Sequence, residues 1–276
     1  MENIRQPKVA GTFYPARKND LLKILNQFNT GSIAEIPEDI TCLIAPHAGY
    51  IYSGRIAAEA YSYIKNKKYD TVIVIAPSHY DYFTGCSITL NNYATPLGQI
   101  TTNRNFVETL NEHSNIVNIS EMGHGQEHAL EVQLPFLQTN LPEFRHVPVV
   151  MGRQNLETAQ LLAEDLYSTI KSNFSSERFL IVCSSDLSHF YDVEHARMLD
   201  GVIHNDIEAF DAEKLNSDII SKKGEACGFG PILTGMILSK MMGADKSKVV
   251  AYGTSGDVSR DYNSVVGYLS AILYKN

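Results

Sequence analysis

Ile40-Thr-Cys-Leu-Ile-Ala-Pro46-His47 and Thr71-Val-Ile-Val-Ile-Ala-Pro77-Ser78-His79 state one phrase twice: an apolar, β-branched run, then Ala-Pro, then a histidine. Runs of this kind predict strands buried on both faces, because a half-exposed strand would alternate polar and apolar residues. Between them, the apolar spacing from Gly54 to Ile64 predicts a helix. Strand, helix and strand make a βαβ unit, whose parallel strands deliver His47 and His79 to the same sheet edge. As neighbours, about 4.8 Å apart, the two strands would let both imidazoles grip one ion. A single histidine in such a loop can equally well donate to a nearby carbonyl. Two in matched positions at strand ends favour joint ligation or catalysis.

Outward from this unit, further strands are predicted at Arg145–Met151, Arg178–Ser184, Lys248–Gly253 and Val265–Leu273, beside Ile40–Ala45 and Thr71–Ala76. Helical patterns run over Asp20–Phe28, Gly54–Ile64, Asn103–Glu112, Glu127–Leu137, Leu156–Ser172, Val193–Phe210 and Pro231–Met242. Strands alternating with amphipathic helices predict an α/β fold with a largely parallel or mixed central sheet flanked by helices. No linker or low-complexity tract interrupts the sequence, so residues 1–276 are expected to form a single domain.

Composition narrows the function. Hydrophobic residues at 44% and charged residues at 20% fit an ordinary water-soluble fold rather than a disordered chain. A formal net charge of -8 opposes a phosphate backbone, and no basic stripe offsets it locally, so no nucleic-acid partner is expected. The longest apolar runs are too short to span a bilayer, so no membrane association is expected. The first eight residues lack the basic start and apolar stretch of a secretory signal, which predicts a cytoplasmic protein without disulfides. Cys42 and Cys183 lie inside apolar strands and read as small buried hydrophobes.

Two further stretches bring chemistry to the predicted edge. The strand ending at Cys183 continues into Ser184-Ser185-Asp186-Leu187-Ser188-His189, adding a carboxylate and an imidazole. Asp186 is a candidate to orient a ligating histidine and His189 a candidate general acid or base. Against this stands a turn in which Asp186 and Ser188 cap the next helix. Cys227-Gly228-Phe229-Gly230-Pro231 precedes an apolar helix, with Pro231 expected at its first position. A thiol near a helix N-terminus and beside histidines is a candidate ligand or nucleophile. In His124-Gly-Gln-Glu127-His128-Ala-Leu-Glu131, the predicted helix would place Glu127 and Glu131 one turn apart, with His128 facing Glu131. These three are possible supporting groups for the site, the alternative being a solvated helix start. No nucleophile elbow, Walker loop or dinucleotide fingerprint is present.

Val9-Ala-Gly-Thr-Phe-Tyr-Pro15, Ala45-Pro-His-Ala-Gly-Tyr50, Ala76-Pro-Ser-His79, Thr95-Pro-Leu97, Glu127-His128, Ser184-Ser-Asp186 and Cys227-Gly228, in this order, resemble the Memo family. The resemblance implies a fold similar to that of the class III extradiol non-haem iron dioxygenases. By motif, His47, His79 and Cys227 match that family's proposed metal ligands, and Asp186 and His189 match residues beside them. The dioxygenases use a glutamate where Cys227 stands, and the softer ligand favours copper or alters iron's redox behaviour. The family is linked to redox chemistry with iron or copper, and its animal members to binding of phosphotyrosine peptides. Prokaryotic members are associated with an AMMECR-like protein and a radical S-adenosylmethionine enzyme.

The expected function is therefore a redox-active, dioxygenase-like metalloenzyme using iron or copper on an unknown substrate. Two rivals stand beside it: a module that holds a peptide or partner protein in the same cleft without turnover, and a zinc-dependent hydrolase.

Overall fold

The structure, a computed structural model, describes residues 3–28 and 37–276. Its largest element is a nine-stranded mixed sheet whose four central strands are parallel: β2 (Asp39–Ala45), β9 (Phe179–Ser184), β3 (Thr71–Pro77) and β8 (Arg145–Met151), in that order. Beyond β8 lie β4 (Cys86–Ile88), antiparallel to it, and β7 (Val117–Ile119). On the other side β12 (Val265–Lys275) pairs antiparallel with β2 and with β11 (Lys246–Thr254), and its first residues meet β10 (His189–Tyr191). A separate three-stranded sheet joins β1 (Ile4–Arg5), β5 (Asn92–Thr95) and β6 (Gly98–Ile100).

All six predicted strands form, and the fold is the mixed α/β architecture expected. Over their inner residues the central strands alternate between two cores. Cys42, Ile44, Ile73, Ile75, Ile181 and Cys183 face one core. Leu43, Ala45, Val72, Val74, Leu180 and Val182 face the other. A period of two with both faces apolar is why these strands read as unbroken hydrophobic runs. The first core is roofed by α3 (Arg104–His113), α5 (Leu156–Asn173), α6 (Val193–Glu208), α7 (Ala212–Ile220) and α8 (Phe229–Met241). The second is covered by α1 (Lys18–Phe28), α2 (Tyr50–Ser62) and α4 (Leu134–Asn140). A last short helix, α9 (Gly256–Ser259), follows β11.

Helix α8 lies so close to the sheet that a Cβ on Gly235 would stand 2.3 Å from the Sγ of Cys183 and 3.0 Å from that of Cys42. Both thiols are fully buried, as their strand context predicts. Gly235→Ala is expected to destabilise the protein by about 1–3 kcal/mol through overpacking, measured by urea unfolding. A variant within about 0.5 kcal/mol of the parent would show that this interface has slack.

Three expectations need correction. β2 and β3 are not neighbours: β9 lies between them, so both histidine-bearing strands border the strand that ends in Ser184-Ser185-Asp186. The helix predicted over Glu127–Leu137 forms only from Leu134, after a 3-10 turn at Glu131–Gln133. The Glu127 carboxylate accepts the backbone N–H of Ala129, a local bond that competes with helix, and Pro135 suits the first turn where α4 begins. Pro231 is the third residue of α8 rather than the first, still within the turn whose N–H groups have no helical partner.

Candidate metal centre

Register places the site. Cys183 of β9 is level with Ile44 of β2 and with Ile75 of β3, so the three chains leave the sheet side by side. His47 and His79 follow three and four residues beyond those levels and lean across the end of β9. Their ring centroids stand 5.1 Å apart and their planes are nearly perpendicular. Cys227, just before α8, joins them, and one ligand atom from each of the three lies within 4.8 Å of the others. His47 is 2% exposed and belongs to the protein interior.

Hydrogen bonds settle which histidine nitrogens are free. Ser184 Oγ donates its single hydrogen to the carbonyl of Ala129 (2.6 Å) and accepts from the Gln133 side-chain amide (2.8 Å). Toward His47 Nδ1, 2.9 Å away, it can then only accept, so Nδ1 carries the proton and Nε2 keeps its lone pair. Gln133 is itself held by the Tyr61 hydroxyl (2.8 Å) and donates to the carbonyl of Pro46 (3.0 Å). The Glu127 carboxylate accepts from His79 Nδ1 (2.9 Å) and from the backbone N–H of His79 (2.6 Å). A carboxylate can only accept, so Nδ1 of His79 carries a proton and Nε2 is the nitrogen left to meet another group. Burial pushes Glu127 toward its neutral form, but the bonds from His79 and Ala129 outweigh it and hold the carboxyl below its ordinary range.

Cys227 is fixed from three sides. Its Sγ accepts the N–H of Asp186 (3.2 Å) and its own N–H donates back to the Asp186 carbonyl (3.1 Å). Gln154 donates to its carbonyl (2.8 Å), and the N–H of Gly228 donates to Ser185 Oγ (2.8 Å). The thiol lies 3.1 Å from His47 Nε2, so its proton sits on the lone pair that Ser184 leaves open. Burial and the nearby Asp186 carboxyl push the thiol well up from its ordinary value. Burial, with His79, His128 and His189 close by, pushes His47 well down and keeps it neutral. A bound cation would reverse the thiol's preference by displacing that proton. Two imidazoles whose Nδ1 atoms are taken by other groups, with one thiol, suit iron, copper or zinc better than calcium or magnesium, which take oxygen.

The remaining predicted residues divide. Asp186 caps no helix: its Oδ1 accepts the N–H of His47 (2.7 Å) and of Ala48 (3.3 Å). Burial raises its pKa to about 7 against those two bonds. His189, on β10, stands outside the three-ligand cluster but lines a cavity of about 260 Å³ together with Cys227. Burial lowers its affinity for a proton. His128 stacks on His79 at 4.8 Å, with Nδ1 3.4 Å from Glu127. His79, Glu127 and His128 form a second compact group, yet the oxygens of Glu127 are already taken by His79 and Ala129. Glu131 turns away to the N-terminal segment, where it meets Arg5, Tyr14 and two backbone N–H groups.

Sequence reading missed Ser184, Gln133 and Gln154, which hold the His47 loop and Cys227, and Asp200, which accepts the N–H of Ser188 (3.0 Å) and the Tyr252 hydroxyl (2.7 Å). Ser184 adjoins a strand end already singled out. The other three carry no local signal, because their partners are remote in sequence. A larger cavity, about 760 Å³, is elsewhere, beside Tyr69, Asp70 and Arg145 at the amino ends of β3 and β8. It contains no comparable cluster of donors among the described residues.

Comparison with known proteins follows the same residues. The family model described as Memo-like protein matches residues 5–272. A MEMO1 family protein of Methanobrevibacter smithii is 40% identical over 98% of this chain and 99% of its own length. One from Methanosarcina barkeri is 38% identical over 98% of this chain and its full length. A solved structure of an uncharacterized protein from Escherichia coli K12 is similar at a TM-score of 0.45 and 11% identity, over 84% of this chain and 99% of that one. With a match that takes in both histidine loops, Asp186 and Cys227, the chain belongs to the Memo family.

Proposed function

We propose that the protein is a metal-dependent oxidoreductase that holds one iron or copper ion through His47 Nε2, His79 Nε2 and Cys227 Sγ and acts on a small molecule. The observation that carries this reading is the placement of the ring nitrogens: Nδ1 of His47 is engaged by Ser184 and Nδ1 of His79 by Glu127, which leaves both Nε2 atoms to serve beside the thiol. When bound, such an ion supplies one-electron redox and Lewis-acid chemistry. Asp186 holds the His47 loop and the Cys227 backbone in place together, through its carboxylate and its peptide group. His189, neutral at pH 7, takes up a proton from a molecule in the cavity it shares with Cys227. Exposed Tyr80, Tyr82 and Phe190 around the site favour, as a second reading, a surface that binds a peptide.

Elemental analysis of protein purified without added metal, and again after anaerobic reconstitution with iron, copper or zinc, tests the proposal. Near-stoichiometric iron or copper is expected, with loss of at least about tenfold in affinity in each of His47→Ala, His79→Ala and Cys227→Ser. Zinc alone would favour hydrolysis. Equal metal in parent and variants under every condition would sink the metalloenzyme and leave the peptide-binding reading.

A further inference from the structure

The cavity of about 260 Å³ beside Cys227 has features that metal binding does not explain. It is lined by Cys227 and His189, by the apolar residues Leu187, Ile219 and Phe229, and by the exposed Lys222. Lys222 occupies an unusual backbone position. Helix α7 ends at Ile220; the N–H of Lys222 then donates to the Ile219 carbonyl (3.0 Å) and that of Lys223 to the Asp218 carbonyl (2.9 Å). This is the paired-bond helix ending whose left-handed residue is ordinarily glycine. Lys222 holds that place at φ 58°, a strained conformation for a residue with a Cβ.

Phe210 ends α6 in the same way, at φ 55°, so the backbone position alone does not set Lys222 apart; its lack of an ion pair beside the cavity, among the described residues, does. Glycine would end the helix with less strain, and Gly224 lies two residues on. Nearby Lys214 and Lys223 are tied to Asp206 and Asp218, whereas Lys222 has no ion pair among the described residues. The cavity's one carboxylate, Glu225, accepts the Tyr191 hydroxyl at 2.7 Å. An unpaired lysine beside a small cavity with apolar walls has the charge to recognise an anion.

We infer that this cavity binds a small organic acid, with its apolar body against Leu187, Ile219 and Phe229, its carboxylate at Lys222 and its far end at Cys227 and His189. That this acid is the molecule acted upon rests on the metal-centre reading; that it binds does not.

Fluorine NMR titration of the full chain, with and without metal, uses 4-fluorobenzoate, 4-fluorobenzamide and 4-fluorobenzylamine as probes. The acid is expected to bind about tenfold more tightly than the amide or amine. Lys222→Met removes that preference, leaving amide binding unchanged, while Glu225→Gln tightens acid binding. Ile219→Trp fills the cavity and abolishes binding by every probe. Lys222→Gly should raise the thermal midpoint while losing the acid preference, which separates recognition from folding. Equal binding of acid and amide, preference for the amine, insensitivity to Lys222→Met or Ile219→Trp, or no binding at all would overturn the acid pocket. Metal content, measured on the same samples, judges the metal centre separately.

Discussion

Glu131→Ala is expected to lower the stability of the protein by about 3–5 kcal/mol, the scale for breaking a buried ion pair from one side. The carboxylate is fully buried and accepts four groups: Arg5 (2.7 Å), the N–H of Lys8 (2.8 Å), the N–H of Val9 (3.0 Å) and the Tyr14 hydroxyl (2.6 Å). Truncation leaves Arg5, itself 8% exposed, as an unpaired interior charge and orphans two backbone donors. Glu131→Gln keeps the volume and part of the bonding, so it should cost less. The damage should also travel, because this segment carries Phe13, whose ring packs 4.8 Å from His128 and whose carbonyl accepts the N–H of Tyr50. Urea unfolding with intact and variant protein measures the loss. A change below about 1 kcal/mol would mean that water replaces the carboxylate and that the segment is not pinned there.

Gly228→Ala is expected to dismantle the metal centre although it alters no donor atom. A Cβ at this position would lie 2.2 Å from the carbonyl oxygen of Ser184 and 2.8 Å from Cβ of Ser185. Its φ of -111° is ordinary, so the effect is steric rather than conformational. Ser184 ends a central strand and cannot retreat, so the Cys227 loop must shift by about 1 Å, enough to spoil a three-ligand site. Chelator competition should show affinity for iron or copper reduced by about 10–100-fold. Gly125→Ala, with nothing within 4 Å of the added atom, serves as the control. Parent-like affinity in Gly228→Ala would mean that Cys227 is not a ligand or that its loop is far softer than its hydrogen bonds imply.

Much of the architecture could be read from the chain because the central strands are long and apolar on both faces, as are helices with sustained periodicity. Elements of two to four residues, such as β1, β4 and β7, have no room for a period and escaped notice. Strand order also escaped: nothing local says that β9 enters between β2 and β3. The same split holds at the site. His47, His79, Asp186 and Cys227 were legible because each follows or precedes an obvious element. Glu127 was found, but for the wrong reason, since a helix was expected where a turn aims its carboxylate at His79. Gln133 and Gln154 act through partners some 50 to 90 residues away, which only the folded chain reveals.

Strand β2 has as its two partners β9 and β12, made from residues 179–184 and 265–275. A ribosome therefore releases His47 on a strand that has no place to dock until most of the polypeptide has emerged, whereas the strand before His79 can pair with β8 once residue 151 is out. Both edges of β2 stay open through that interval, a hazard for pairing with other nascent chains. Truncations ending before β9 should accordingly be recovered as aggregates, and His47, His79 and Cys227 can come together only once the last third of the protein has emerged.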